Sequence, residues 1–122
     1  MSVLKLVFSE GDDVIEGIRE AAKEHNINYG VFFEAEGSLK EILLISDDYR
    51  EKAEFKEPVE VKTVSGKVCQ QKDGYNIKMH VSLSKLSSNR KWLSGEIKRA
   101  LAADNFTVSI DLKDLNKIIW TG

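Results

Sequence analysis

Several things are scarce in this sequence, and each scarcity excludes something. A single cysteine, Cys69, rules out a disulfide within the chain and any C-x-x-C metal or redox motif. Its use fits a reducing compartment. Only two histidines are present, His25 and His80, too few for an all-histidine metal centre within one chain. The one proline, Pro58, leaves no room for proline-rich linkers. No apolar run approaches the ~20 residues needed to span a bilayer. The first residues, Met1 to Lys5, carry no basic stretch followed by an apolar core and a cleavage site. A soluble, cytoplasmic protein with no membrane partner is therefore expected. No excess of either charge is present. Lys plus Arg is 18 and Asp plus Glu is 20, a formal net charge of -2, so no global positive field draws the chain to phosphates.

What is present is ordinary for a globular chain. Apolar residues make up 42% and charged residues 31%, which argues against disorder. At 122 residues, one domain spanning 1–122 is expected. A domain of that size buries roughly 65–70% of the surface its unfolded chain exposes. It can build a core without metal or disulfides.

Periodicity predicts one helix among many strands. Val3 to Phe8 is a short run of β-formers. After the turn Ser9 to Asp12, residues Val14, Ile15, Ile18, Ala21 and Ala22 recur at helical spacing, with charged residues on the other face. Ser9 or Asp12 is the expected cap. His25 suits the carbonyl end of the helix. Strands are then predicted over 29–33 and 39–45, and over 50–55 at a charged sheet edge. A long strand follows over 59–70, in which Gly66 marks a bulge or bend and Cys69 is a small strand residue. The clearest alternation sets Tyr75, Ile77, Met79, Val81 and Leu83 against Asn76, Lys78, His80, Ser82 and Ser84. Residues 92–101 alternate again, with Leu93, Ile97 and Leu101 on one face and Ser94, Glu96 and Lys98 on the other. Strands over 106–112 and 117–120 complete the chain. The expected fold class is α+β: about eight or nine strands, mostly in hairpin order, in an antiparallel sheet packed with one N-terminal helix.

If the last three long strands are neighbours, Lys78, His80, Glu96, Thr107 and Ser109 share one polar surface. His80 can serve there as a metal ligand or general base and Glu96 as a second ligand or acid. The same pattern describes a solvated sheet face whose charges pair casually. Two candidate ligands fall short of the three protein ligands of a catalytic zinc site. No phosphate-binding glycine loop, H-E-x-x-H or serine or cysteine nucleophile motif occurs. Lys85, Arg90 and Lys91, with Trp92 beside them, form a loose basic loop, a weak candidate for nucleic-acid contact.

The order of pieces carries more than any one of them. A strand leads through Gly11 into a helix ending near His25, and Gly37-Ser38-Leu39 follows. Then come Gly66, Met79-His80-Val81-Ser82-Leu83, Leu93-Ser94-Gly95-Glu96-Ile97 and the strand from Phe106. Over nearly its whole length the chain resembles the plant and prokaryote conserved (PPC) domain family, a family of unknown function. The resemblance implies a compact α+β fold similar to that of acetolactate decarboxylase, a zinc enzyme, and a homotrimer. Several prokaryotic members of the family have a three-histidine cluster that can hold a metal. Two of those histidines lie one residue apart on a strand, and the third follows a Gly-Gly pair on the next. Here those positions are Lys78, His80 and Glu96, the last in Ser94-Gly95-Glu96. Lysine as an ammonium repels a cation, so zinc is not expected and the metal set reduces to His80 and Glu96. A third ligand would have to come from His25 or another subunit. In plants the domain follows AT-hook DNA-binding segments, and no Arg-Gly-Arg-Pro stretch occurs here.

These features lead to the expectation of a non-catalytic homotrimeric binding or interaction module. Its pocket would be lined by Lys78, His80 and Glu96, with Gly37 and Ser38 at its edge or at the trimer contact. The alternatives are a metal-dependent enzyme and a DNA-associated regulator.

Overall fold

The computed structural model describes residues 2–46, 48–84 and 94–113. The basic loop residues Lys85, Arg90, Lys91 and Trp92, together with Leu93 and the strand expected over 117–120, lie outside the described residues.

One helix, α1 (Val14–Glu24), follows β1 (Ser2–Phe8). It starts where Asp13 accepts a hydrogen bond from the backbone N–H of Glu16 at 3.1 Å. The expected cap, Asp12, instead closes the preceding turn by accepting from the Ser9 N–H at 2.7 Å. Val14, Ile18 and Ala22 lie one turn apart and are all fully buried. Gly17 lets the helix sit against Phe8: a Cβ there would come within 2.5 Å of that ring. The Tyr75 hydroxyl donates to the Ala22 carbonyl at 3.1 Å and ties the helix to the sheet.

Seven more strands follow: β2 (Tyr29–Glu36), β3 (Ser38–Ile45), β4 (Lys52–Phe55), β5 (Val59–Gln71), β6 (Gly74–Leu83), β7 (Ser94–Ala102) and β8 (Phe106–Lys113). They form one antiparallel sheet in the order β1-β8-β2-β5-β6-β7-β3-β4. The expected α+β class holds, and β4 is an edge strand as its charge implies. The expected hairpin order does not hold. Among the described strands only β3·β4, β5·β6 and β6·β7 join strands consecutive in the chain. Short connections mislead here because two of them turn corners. Gly37 alone separates β2 from β3, and residues 103–105 separate β7 from β8, yet neither pair is hydrogen-bonded together. The two corners pack on each other. A Cβ on Gly37 (φ 116°) would lie 3.1 Å from the Phe106 Cα, and the Ser38 carbonyl accepts from the Ala103 N–H at 3.0 Å.

Strand β5 organises the sheet. Its last residues pair with β2 and most of its length with β6. Its first residues, Val59 and Glu60, pair with Leu39 and Ser38 of β3. Because β3 also pairs with β7, strands β5, β6, β7 and β3 close into a hydrogen-bonded ring. Val59, Val68, Met79, Val81, Leu39 and Leu44 are buried along it.

Among the described residues four register shifts bend the sheet, leaving Phe33, Lys40, Lys62 and Lys98 as extra residues. The one at Lys98 corrects the expected alternation of β7. Ile97 is buried, but beyond the bulge Ala100 and Ala102 face the core and Leu101 does not. The shift in β5 falls at Val61–Thr63 rather than at Gly66. Gly66 serves a different need. Its φ is 119°, and a Cβ there would lie 2.0 Å from the Lys78 carbonyl oxygen. Replacing it with alanine combines backbone strain with a backbone clash. Gly66→Ala is expected to cost more than about 2 kcal/mol in urea unfolding. A midpoint equal to wild type would contradict the close approach.

Candidate functional site

A depression of about 190 Å³ lies where β5, β6 and β7 meet the β3–β4 connection. Antiparallel pairing sets His80 of β6 directly opposite Glu96 of β7. Lys78, two residues back on the same face of β6, completes the sequence-predicted trio around this depression. Gly66 and Met79 form its floor, and Ser46 and Tyr49 come over from the β3–β4 turn. Tyr49 has a φ of 59° and is 65% exposed, so its ring is carried by the turn rather than by the core.

Side-chain bonding holds that turn in shape. The Ser46 hydroxyl donates to Asp48 Oδ1 at 2.6 Å, and the Arg50 N–H donates to the same oxygen at 3.0 Å. The Ser46 hydroxyl oxygen in turn accepts from the Glu51 N–H at 3.1 Å. These bonds to the charged form, that of Ser46 first, lower the pKa of Asp48 below the ordinary aspartate value. A lowered carboxyl stabilises the fold above the ordinary aspartate range, and that contribution is lost as the pH falls through the lowered value.

Glu96 is the best-partnered charge at the depression. Its side chain is 13% exposed. One oxygen accepts from the Tyr49 hydroxyl at 3.1 Å and the other from the Lys98 ammonium at 3.0 Å. Lys98 lies two positions along the same strand, the spacing that puts two side chains on one face. Lys98 is 44% exposed, so this pair contributes under ~1 kcal/mol. The lysine that meets Glu96 is therefore Lys98 and not Lys78, which stays exposed.

Other predicted residues lie elsewhere. Thr107 and Ser109 are on β8, between β1 and β2, so the expected common polar surface with β6 and β7 does not form. Ser109 is buried. Gly37 and Ser38 sit at the corner beside Phe106, at the end of β3 remote from Ser46, and do not line the depression. His25 caps the C-terminus of α1 and lines a separate depression with Tyr29 and Leu112. Cys69 is half-buried on β5, opposite Tyr29 and Asn76. Among the described residues no three His, Cys, Asp or Glu side chains are grouped closely enough to hold a metal ion.

The Tyr49 contact has no signal in the sequence, since it depends on a turn, whereas the alternation already puts Lys98 on the same face as Glu96. Removing the Tyr49 hydroxyl (Y49F) is expected to destabilise by no more than about 1 kcal/mol. It should also speed amide exchange in the 46–51 turn, read by hydrogen-exchange NMR. Unchanged exchange there would mean that the bond to Glu96 does not hold the turn.

The fold has several solved relatives. A metal-containing protein of Archaeoglobus fulgidus superposes with a TM-score of 0.75 at 21% identity, covering 93% of this chain and 81% of the other. A plant- and prokaryote-conserved protein of Pyrococcus horikoshii gives 0.72 at 17% identity, with 93% and 80% covered. A protein of Bacteroides thetaiotaomicron described as a candidate DNA-binding protein gives 0.77 at 14% identity, with 92% and 78% covered. A comparison with curated proteins finds no match. Residues 1–112 match the Plants and Prokaryotes Conserved (PCC) domain, and the chain belongs to that family.

Proposed function

We propose that this chain is a non-catalytic, homotrimeric binding module of the PCC family in which the metal site implied by the resemblance is lost. One observation carries the reading: the charges around the depression suit a cation poorly. Where the resemblance implies a first histidine ligand stands Lys78, whose ammonium has no lone pair to give. Where it implies a third stands Glu96, whose oxygens are already engaged by Tyr49 and Lys98. His80 and Glu96 keep a ligand's chemistry, two groups where the usual count is three. A dication entering there meets the Lys78 ammonium and a carboxylate, Glu96, already paired with Lys98. The residues present do not fit a bound zinc, and no catalytic step is drawn through one.

The fold likeness to a metal-containing protein supports a second reading, a metal-dependent enzyme, and the direct opposition of His80 and Glu96 is the feature in its favour. The likeness to a candidate DNA-binding protein supports a third, which predicts salt-dependent association with duplex DNA. Fold likeness alone does not transfer either activity.

Assembly is the testable part of the module reading. Exposed apolar side chains on β1 and β2, Val3, Val7 and Phe33, offer area for subunit contact. Light scattering on the eluting peak is expected to give the mass of three chains. A monomer mass would remove the trimer.

A further inference from the structure

We propose that the groove between the free edge of β1 and helix α1 takes an extended peptide with basic side chains at alternate positions, which adds to the sheet as a strand beside β1. This surface lies apart from the depression on β6 and β7, and the proposal does not rest on the reading of that depression.

An open sheet edge is the observation that carries it. Strand β1 pairs with β8 alone. In an antiparallel pair every second residue turns its N–H and C=O away from the partner strand. Among the described residues no other backbone hydrogen bond reaches Ser2–Phe8. Such an edge is a template for a further strand unless it is short, charged or covered. The opposite edge, β4, is four residues long and carries Lys52 and Glu54. Strand β1 has seven residues and one charge, Lys5.

Helix α1 does not cover this edge. Gly17 packs on the Phe8 ring. Beside that contact a groove of about 430 Å³ remains, with Leu6, Val7 and Phe8 on one wall and α1 with its preceding turn on the other. Val7 is 66% exposed. Strand addition takes its affinity from main-chain bonds to the edge and its specificity from alternate side chains.

Charge complementarity selects the occupant. The helix wall carries Asp12, Asp13, Glu16 and Glu20, and no basic residue lines the groove. Asp12 and Asp13 accept backbone N–H groups, which leaves their charge in place, and Glu16 pairs with Arg19. Among the described residues Glu20 has no ion pair. Arg19, Lys5 and the roughly half positive charge of the helix end do not offset four carboxylates. Lys40, which approaches Gly11, is answered by Glu10 in the same turn. The groove therefore stays negative. These carboxylates do not group closely enough to hold one metal ion. They suit positive charge spread along a chain. Alternate residues of a strand recur about every 7 Å, and Glu16 and Glu20 stand about 6 Å apart along the helix. Lysine or arginine at every second position matches that spacing.

The experiment titrates the full chain with acetyl-Lys-Val-Lys-Val-Lys-amide and reads the amides of Leu6, Val7, Phe8 and Gly17 by NMR. Saturable shifts are expected there, and none with the Glu-Val-Glu-Val-Glu counterpart. N-methylation, either of the lysine nitrogens or of the valine nitrogens, removes strand donors without changing the charge. One of the two patterns should weaken binding at least about tenfold. Glu20→Lys should weaken it at least about threefold. Glu57→Lys makes the same change of charge away from the groove and should alter it less than about 1.5-fold. Both positions are exposed, so both variants are expected to fold. No saturable shift, equal binding of the acidic peptide, binding that neither N-methylation pattern weakens, or equal weakening by the two variants would each overturn the assignment. Light scattering on each mixture keeps the groove apart from subunit assembly. Binding at an unchanged number of chains supports the groove. Peptide that splits an oligomer would show that a second copy holds the β1 edge, and would overturn it.

Discussion

The approach of Gly66 to the Lys78 carbonyl is the contact on which the depression depends. A residue with a side chain cannot stand there, because its Cβ would fall 2.0 Å from that oxygen. The close approach brings β5 against β6 where Lys78, Met79 and His80 present themselves. Strand β5 can make it because it is long enough to serve two other partners, β2 at one end and β3 at the other. The resulting ring of β5, β6, β7 and β3 places Glu96 opposite His80 and brings the 46–51 turn over both. Backbone geometry thus sets the site, and the side chains decide what it can hold.

Bulges then interrupt the alternation. Three of the four extra residues at register shifts are lysines: Lys40, Lys62 and Lys98. A bulged residue is released from strict alternation and is re-aimed by the local twist. Beyond Lys98 the buried positions of β7 are Ala100 and Ala102. Glu96 is engaged by Lys98 and by Tyr49, so Lys78 is not its ion-pair partner.

The helix, its apolar stripe and the edge position of β4 were legible in the sequence, because each rests on local periodicity or composition. The alternation of β6 was legible too, which is why Lys78 and His80 could be placed on one face. The partners of each strand were not. Two tight connections, at Gly37 and at residues 103–105, turn corners rather than hairpins, and period-2 patterning carries no record of which strand lies beside which. Thr107 and Ser109 were misplaced for that reason, and Leu101 because a bulge inverts alternation beyond it. Tyr49 carried no pattern at all. It reaches Glu96 across 47 positions of chain through a turn held by Ser46 and Asp48.

Where a metal-binding set would offer a third ligand, the depression carries the Lys78 ammonium, beside a Glu96 already engaged by Tyr49 and Lys98. Elemental analysis of untagged protein purified without chelators tests this most directly. No transition metal near stoichiometry with the chain is expected. Near-stoichiometric zinc, or any other transition ion, would contradict it and would mean that His80 and Glu96 recruit further ligands despite Lys78.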